Sequence, residues 1–290
     1  MSVADRISGL FDPDREGVAW ERGLRYVGVV LAALFVLVPL YWMVATSLKG
    51  SSQIGVFPPA LVPSPATIEP YLSAWQTGPW GQWFLNTMLI SGGSTVVALA
   101  ISTPAAYALA RFDFPGSNPV YLLFLGLLMI PAQILLIPLY NLLASLGLVD
   151  TRVGLILVYS TFFLAFSVFL LHSFMTNLPE SLEEAARIGG IPEWKIFIKV
   201  ILPLVKSGMV ATGMLIFVFT WNEFLFALTF LQSEQLYTIS VGLQSFQGIH
   251  GATVYNQLFA MSTLATLPVV ILFALFSDQF IEGIAGLEME

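Results

Sequence analysis

The chain has no cysteine, which excludes disulfides, thiol redox chemistry and cysteine-ligated metal. Its two histidines, His172 and His250, are too few and too far apart for a metal cluster. Charge is scarce as well: 10% of the 290 residues are charged and 57% are hydrophobic, whereas soluble globular domains carry roughly a quarter charged residues. With a mean hydropathy of +0.84, the composition is that of an all-α, polytopic membrane protein. A net charge of −7 does not favour nucleic acid as a partner; membrane lipid is the expected one. Also missing are a Gly-x-x-x-x-Gly-Lys-Ser/Thr phosphate loop, a hydrophobic strand ending in a catalytic carboxylate, and a soluble segment large enough for a nucleotide. ATP hydrolysis on this chain is excluded, and no catalytic residue, metal or cofactor of its own is expected.

What is present is a succession of long apolar runs. Residues 1–25 form a polar tail of mixed charge that does not have the pattern of a signal peptide. Six spans are predicted, at about 26–48, 84–110, 119–141, 153–173, 207–231 and 257–277. Each approaches or exceeds the roughly 20 residues that cross the hydrocarbon. The proline- and tryptophan-rich loop 49–83 is too polar to span, and 278–290 forms a second tail. Gly92-Gly93-Ser94 permits close helix approach in the second span. Pro131, Gln133 and Pro138 predict a bent third span that lines a bundle interior, a packing bend being the alternative. In the fifth span, Asn222 and Glu223 lie deep in apolar sequence, where an unpaired carboxylate is costly. Glu223 either gates, lines a cavity or meets a docked outer protein, or it pairs with a neighbouring subunit. Pro131, Gln133, Asn222 and Glu223 are therefore candidate gate or path residues.

Orientation follows from the basic residues. With both ends inside, the inner segments hold Arg6, Arg15, Arg22, Arg25, Arg111, Arg187, Lys195, Lys199 and Lys206, and the outer ones only Lys49 and Arg152. This places both termini, and the polar loop 177–206 between the fourth and fifth spans, in the cytoplasm. Pro179, Glu180, Glu183 and Glu184 read as a helix start, with acidic groups at the positive end of the helix dipole. Glu183 stands four residues before Arg187, the spacing of a stabilising pair, and Leu182, Ala185, Ala186 and Ile188 supply a small apolar side. Gly189-Gly190 ends this helix of about three turns, and Pro192 starts another carrying Trp194, Phe197 and Val200-Ile201.

Within this loop, Glu184-Ala185-Ala186, Gly190 after three residues and Leu202-Pro203 after eleven more resemble the loop of permease subunits of prokaryotic ABC importers. Val200 fills the family's isoleucine place, Gly189 replaces a usual aspartate, and Lys206 stands where proline is common. The segments 105–112, 129–133, 137–140, 221–224 and 266–269 resemble those of maltose-type sugar permeases, in particular the smaller six-span subunit. The resemblance implies a type I importer fold with a cytoplasmic coupling helix, in a prokaryotic cytoplasmic membrane. It assigns coupling to Glu184, Ala185, Ala186, Arg187, Gly190, Leu202 and Pro203, and a tail contact toward the ATPase to Glu282 and Gly283. The implied partners are a second, non-identical permease, an ATPase homodimer that binds ATP-Mg, and an extracytoplasmic sugar-binding protein. The implied cargo is an oligosaccharide, disaccharide or related polyol or glycerol phosphate. An ion-gradient-driven carrier and a non-transporting scaffold are the alternatives, and neither accounts for the glycine-closed loop helix.

Overall fold

The structure is a computed structural model describing residues 19–246 and 254–287. The expected N-terminal tail up to residue 18, the stretch 247–253 with His250, and residues 288–290 lie outside the described residues. Among those described, all regular structure is helical apart from one isolated bridge, Lys49 to Ala66. Four helices are long and apolar enough to cross a membrane, or up to six if each of two bent pairs counts as one span. The chain divides into two units, residues 1–81 with 241–271 and residues 82–240 with 272–290.

In the first unit, helix α1 (Ala19–Ser47) carries no charge from Tyr26 to its end and is exposed over residues 23–41, with Phe35 83% exposed. Such a helix has no core side and suits lipid contact. After it, Lys49 turns inward, donating to the Ala60 carbonyl at 2.6 Å with its ammonium 4.3 Å from the centre of the Trp42 ring. Asn256 Nδ2 donates to the Lys49 carbonyl, and the Thr67 N–H to that of Leu48. These bonds fold the proline-rich loop into a cap, which carries a short helix, α2 (Glu69–Trp75), with Pro70 tolerated in its first turn.

In the second unit small residues set the packing. Helix α3 (Trp80–Arg111) meets α6 (Arg152–Thr176) where a Cβ on Gly93 would come within 2.9 Å of Ile156. Ser160 Oγ donates across the same seam to the Ser94 carbonyl, at 3.3 Å. Helix α10 (Lys206–Asn222) approaches α6 at Gly208, where a Cβ would enter the Phe174 ring at 2.6 Å. Gly283 of the last helix, α13 (Tyr255–Leu287), lies where a Cβ would sit 2.7 Å from Ala211 Cβ and 2.9 Å from the Ser207 carbonyl. Close backbone approach without side-chain volume is what small residues provide between membrane helices.

The third apolar run bends, as its prolines lead one to expect, whereas the fifth departs from the single helix expected. The third apolar run is two helices, α4 (Ser117–Leu127) and α5 (Leu136–Ser145), bent by 93°. Pro131 marks the break because it lacks an N–H and biases the preceding residue toward an extended conformation. The fifth run is not one helix over 207–231: α10 ends at Asn222, Glu223 is extended, and α11 (Leu225–Phe230) follows. Past the expected end of the sixth span at 277, α13 continues to Leu287.

The turn between α5 and α6 holds a further anchor. Asp150, at φ +59°, accepts the N–H groups of Gln232 and Ser233 at 2.8 Å each and the Ser233 hydroxyl, while its own N–H donates to the Phe230 carbonyl. Burial pushes its carboxyl up, but the bonds from Ser233 and Gln232 prevail and hold it below the usual carboxylate range. A depressed folded-state value means stabilisation is present at neutral pH and is lost as pH falls through that value. Asp150→Asn is accordingly expected to destabilise the detergent-solubilised protein by about 1.5 kcal/mol at pH 7. In thermal unfolding its gap from wild type should close as pH falls below the ordinary carboxylate range.

Candidate functional site

Loop 177–206 is built from short pieces. Helix α7 (Ser181–Ile188) covers about two turns rather than three. It starts where Glu183 and Glu184 donate their N–H groups to the Glu180 carbonyl. At its end, the Gly190 N–H donates to the Arg187 carbonyl at 2.9 Å and the Ile191 N–H reaches back to Ala186 at 3.2 Å, with Gly190 at φ +73°. This is a Schellman closure, whose left-handed residue is Gly190. Gly189, at φ −71°, occupies conformational space open to any residue. The substitution of glycine for the family's aspartate there leaves the turn intact.

Pro192 then caps α8 (Glu193–Ile196), but the expected continuous second helix widens into a π-turn at Phe197–Ile201 before α9 (Leu202–Leu204). Pro203 has no N–H to offer the Lys199 carbonyl and crowds it, which a widened turn accommodates. The chain bends by 72° between Leu204 and Lys206, where α10 begins.

The orientation of α7 inverts ordinary amphipathicity. Its inward residue is Glu183, 1% exposed, which accepts from Arg111 Nε at 2.6 Å, Tyr107 Oη at 3.1 Å and Arg187 Nη2 at 3.3 Å. Arg111 also donates to the Leu178 carbonyl at 2.8 Å. Arg187 continues to Glu193, at 2.5 Å. Donating to Glu193 raises the Arg187 guanidinium above its ordinary range, and accepting from Arg187 holds Glu193 below the usual carboxylate range. Beneath this network, Ala106, Tyr107, Leu171, Met175, Ile196, Ile201 and Val205 form one buried cluster, with Ala186 and Phe197 packed against it. The outward face carries Leu182, Glu184, Ala185, Ile188 (89% exposed), Ile191 and Trp194. The inner side of α7 is thus ion-paired and its outward side largely apolar.

Of the residues expected from sequence, Glu184, Ala185 and Gly190 lie on the exposed side, Ala186 faces the core, and Arg187 bridges Glu183 and Glu193. Leu202 and Pro203 follow the π-turn. Sequence reasoning did not single out Tyr107, Arg111 and Glu183 as a cluster. The available signal was Arg111, a lone cation closing an uncharged span on the side assigned to the loop.

The candidate path residues fall at two breaks. Pro131 and Gln133 are exposed at the α4–α5 bend. Asn222 is exposed, with its amide donating to the Val218 carbonyl, and Glu223 links the two pieces of the fifth run. The Glu223 carboxylate accepts the Phe226 and Ala227 N–H groups at 3.0 and 3.1 Å and the Tyr159 hydroxyl, so it caps α11 from within the chain. No hydrogen bond joins these two pairs among the described residues. Near the C-terminus, Glu282 is exposed, while Gly283 is buried against Ser207 and Ala211 of the chain itself.

Comparison with known proteins places this arrangement. Residues 98–285 match the family described as the binding-protein-dependent transport system inner membrane component. The chain is 36% identical over 261 residues to a probable ABC transporter permease, YurM, of Bacillus subtilis, covering 90% of this chain and 86% of that one. It is 32% identical over 268 residues to the trehalose/maltose permease MalG of Thermococcus litoralis, covering 92% and 96%. Its fold matches a chain of a bacterial alginate-importing ABC transporter crystal structure with TM-score 0.78 at 21% identity, covering 97% of this chain and 99% of that one. The resemblance between the loop 177–206 and that of importer permeases thus extends along most of the chain, and the role is transport rather than catalysis. The chain belongs to the family of binding-protein-dependent transport system inner membrane components and is an ABC-importer permease.

Proposed function

We propose that this chain is one of two non-identical permeases in an importer that carries a sugar, or a related polyol or glycerol phosphate, from an external binding protein into the cytoplasm. The observation that carries the reading is α7, whose ion-paired inner side turns an apolar outer face toward a partner. Nine basic residues against two favour both termini and α7 on the cytoplasmic side, where an ATPase homodimer would bind ATP-Mg. In this reading Glu184, Ala185, Ile188 and Trp194 seat in an ATPase groove and Gly190 closes the helix at the seat. Closure of the ATPase on nucleotide then displaces α7 as a unit, and α6 and α10 rock with it. The tail contact is left to Glu282, because Gly283 is occupied within the chain.

The sugar comes from relatives named for diacetylchitobiose, trehalose/maltose and arabinooligosaccharides, each 31–34% identical over at least 87% of this chain. Purification of the chain from its host in a mild detergent, with mass spectrometry of what accompanies it, tests the reading. An ATPase and a second permease are expected to accompany it. Repeated recovery of the chain alone, with gradient-driven uptake after reconstitution, contradicts the reading.

A further inference from the structure

We infer that Arg111 and Glu183 are positioning residues that make α3 a third lever of the coupling loop, an inference that rests on the importer reading above. By chain connectivity, α7 pulls on two long helices only, α6 before it and α10 after it. Helix α3 is separated from α7 by 72 residues at the Arg111–Glu183 contact and has no covalent reason to follow. The side chains supply the link. Arg111 and Glu183 are 4% and 1% exposed and 2.6 Å apart, so parting them leaves two charges unpaired away from water, which is far costlier than breaking a solvated pair.

The attachment has more than one point. The second arm of Arg111 holds the Leu178 carbonyl just before α7, and Tyr107, one turn earlier on α3, reaches both Glu183 and Glu193. The Tyr107 ring packs against Phe197 after α8, at 5.0 Å between centres. The end of α3 is therefore bonded to the loop before, within and after the coupling helix. The partly exposed Arg187–Glu193 pair is not the tether, since both its members lie in the loop. The loop and the end of α3 move as one body, and displacement of α7 drives the α3–α6 seam at Gly93 and Ser94 from both sides.

Spin labels test this in the assembled importer, and the absence of cysteine in this chain permits their placement. Labels go at Ser181 on α7 and Asp113 in the turn after α3, with a second pair at Ser181 and Ser145 as reference; all three sites are exposed. Pulsed distance measurements are made without nucleotide and with Mg-ATP plus vanadate. The expected result is that the 145–181 distance changes while the 113–181 distance stays constant to within about 2 Å, the size of an ordinary helix shift. In Arg111→Gln the 113–181 distance is expected to change with nucleotide as well. Arg111→Lys, which keeps the charge but not the two-armed geometry, should fall between and serves if the glutamine variant does not assemble. A nucleotide-dependent 113–181 distance in the wild type, with 145–181 also moving, overturns the tether and leaves the importer reading standing. An invariant 145–181 distance removes both.

Discussion

Gly190→Val abolishes nucleotide-coupled transport and stimulation of the partner ATPase, while the chain still inserts and carries its other helices. The reason is conformational rather than steric. A Cβ at Gly190 would meet no atom within 4 Å, but the residue sits at φ +73° and forms the left-handed step of the α7 closure. Leaving that region removes the return bonds of Gly190 and Ile191 to Arg187 and Ala186. A non-glycine residue held there costs roughly 1–2 kcal/mol, and a β-branched one is a genuine outlier. Either the strain remains or the exit from α7 swings, and both misplace the face carrying Ala185 and Ile188. Gly189→Asp is the control: at φ −71° it fits the backbone, and activity is expected to persist. Wild-type ATPase stimulation in Gly190→Val would refute the role assigned to this closure.

Glu183→Ala is expected to cost about 3–5 kcal/mol of stability, the penalty for leaving a buried cation without its partner. Arg111 would keep only the Leu178 carbonyl, and Tyr107 only its longer contact with Glu193. Replacing Arg111 and Glu183 together by methionine should recover most of the loss, because buried pairs are often matched by apolar residues of similar volume. Glu193→Ala, which breaks the partly exposed pair with Arg187, should change stability by less than about 1 kcal/mol. Thermal unfolding of the solubilised complex separates these cases. Equal losses in Glu183→Ala and Glu193→Ala would show that the buried pair is not what holds α7.

Much of this site is legible in the sequence, and what is not depends on distant contacts. Pro179, the acidic start and the two glycines mark the limits of α7, because proline, charge at a helix end and a left-handed step act locally. The orientation of α7 does not follow in the same way. Local pattern groups Leu182, Ala185 and Ile188 as an apolar side that would ordinarily turn inward, but Arg111 draws Glu183 in instead. The break at Glu223 has a similar origin. Neither proline nor glycine stands between Trp221 and Leu225, and the carboxylate that ends one helix and caps the next is also engaged by Tyr159, 64 residues away. Gly283 reads as a tail residue by composition, whereas it lets α13 approach Ser207 and Ala211. The bend near Pro131 is legible because proline's missing N–H acts on its own turn.

In the proposed reading, this chain transports only as part of an ATP-driven assembly that engages α7. The most direct test of that reading is uptake by vesicles reconstituted with the purified complex, using the sugar retained by the co-purified binding protein and Mg-ATP on the side of α7. The expected uptake requires ATP and the binding protein and is lost in Gly190→Val. Accumulation by vesicles holding this chain alone, driven by an ion gradient and indifferent to ATP, would contradict it.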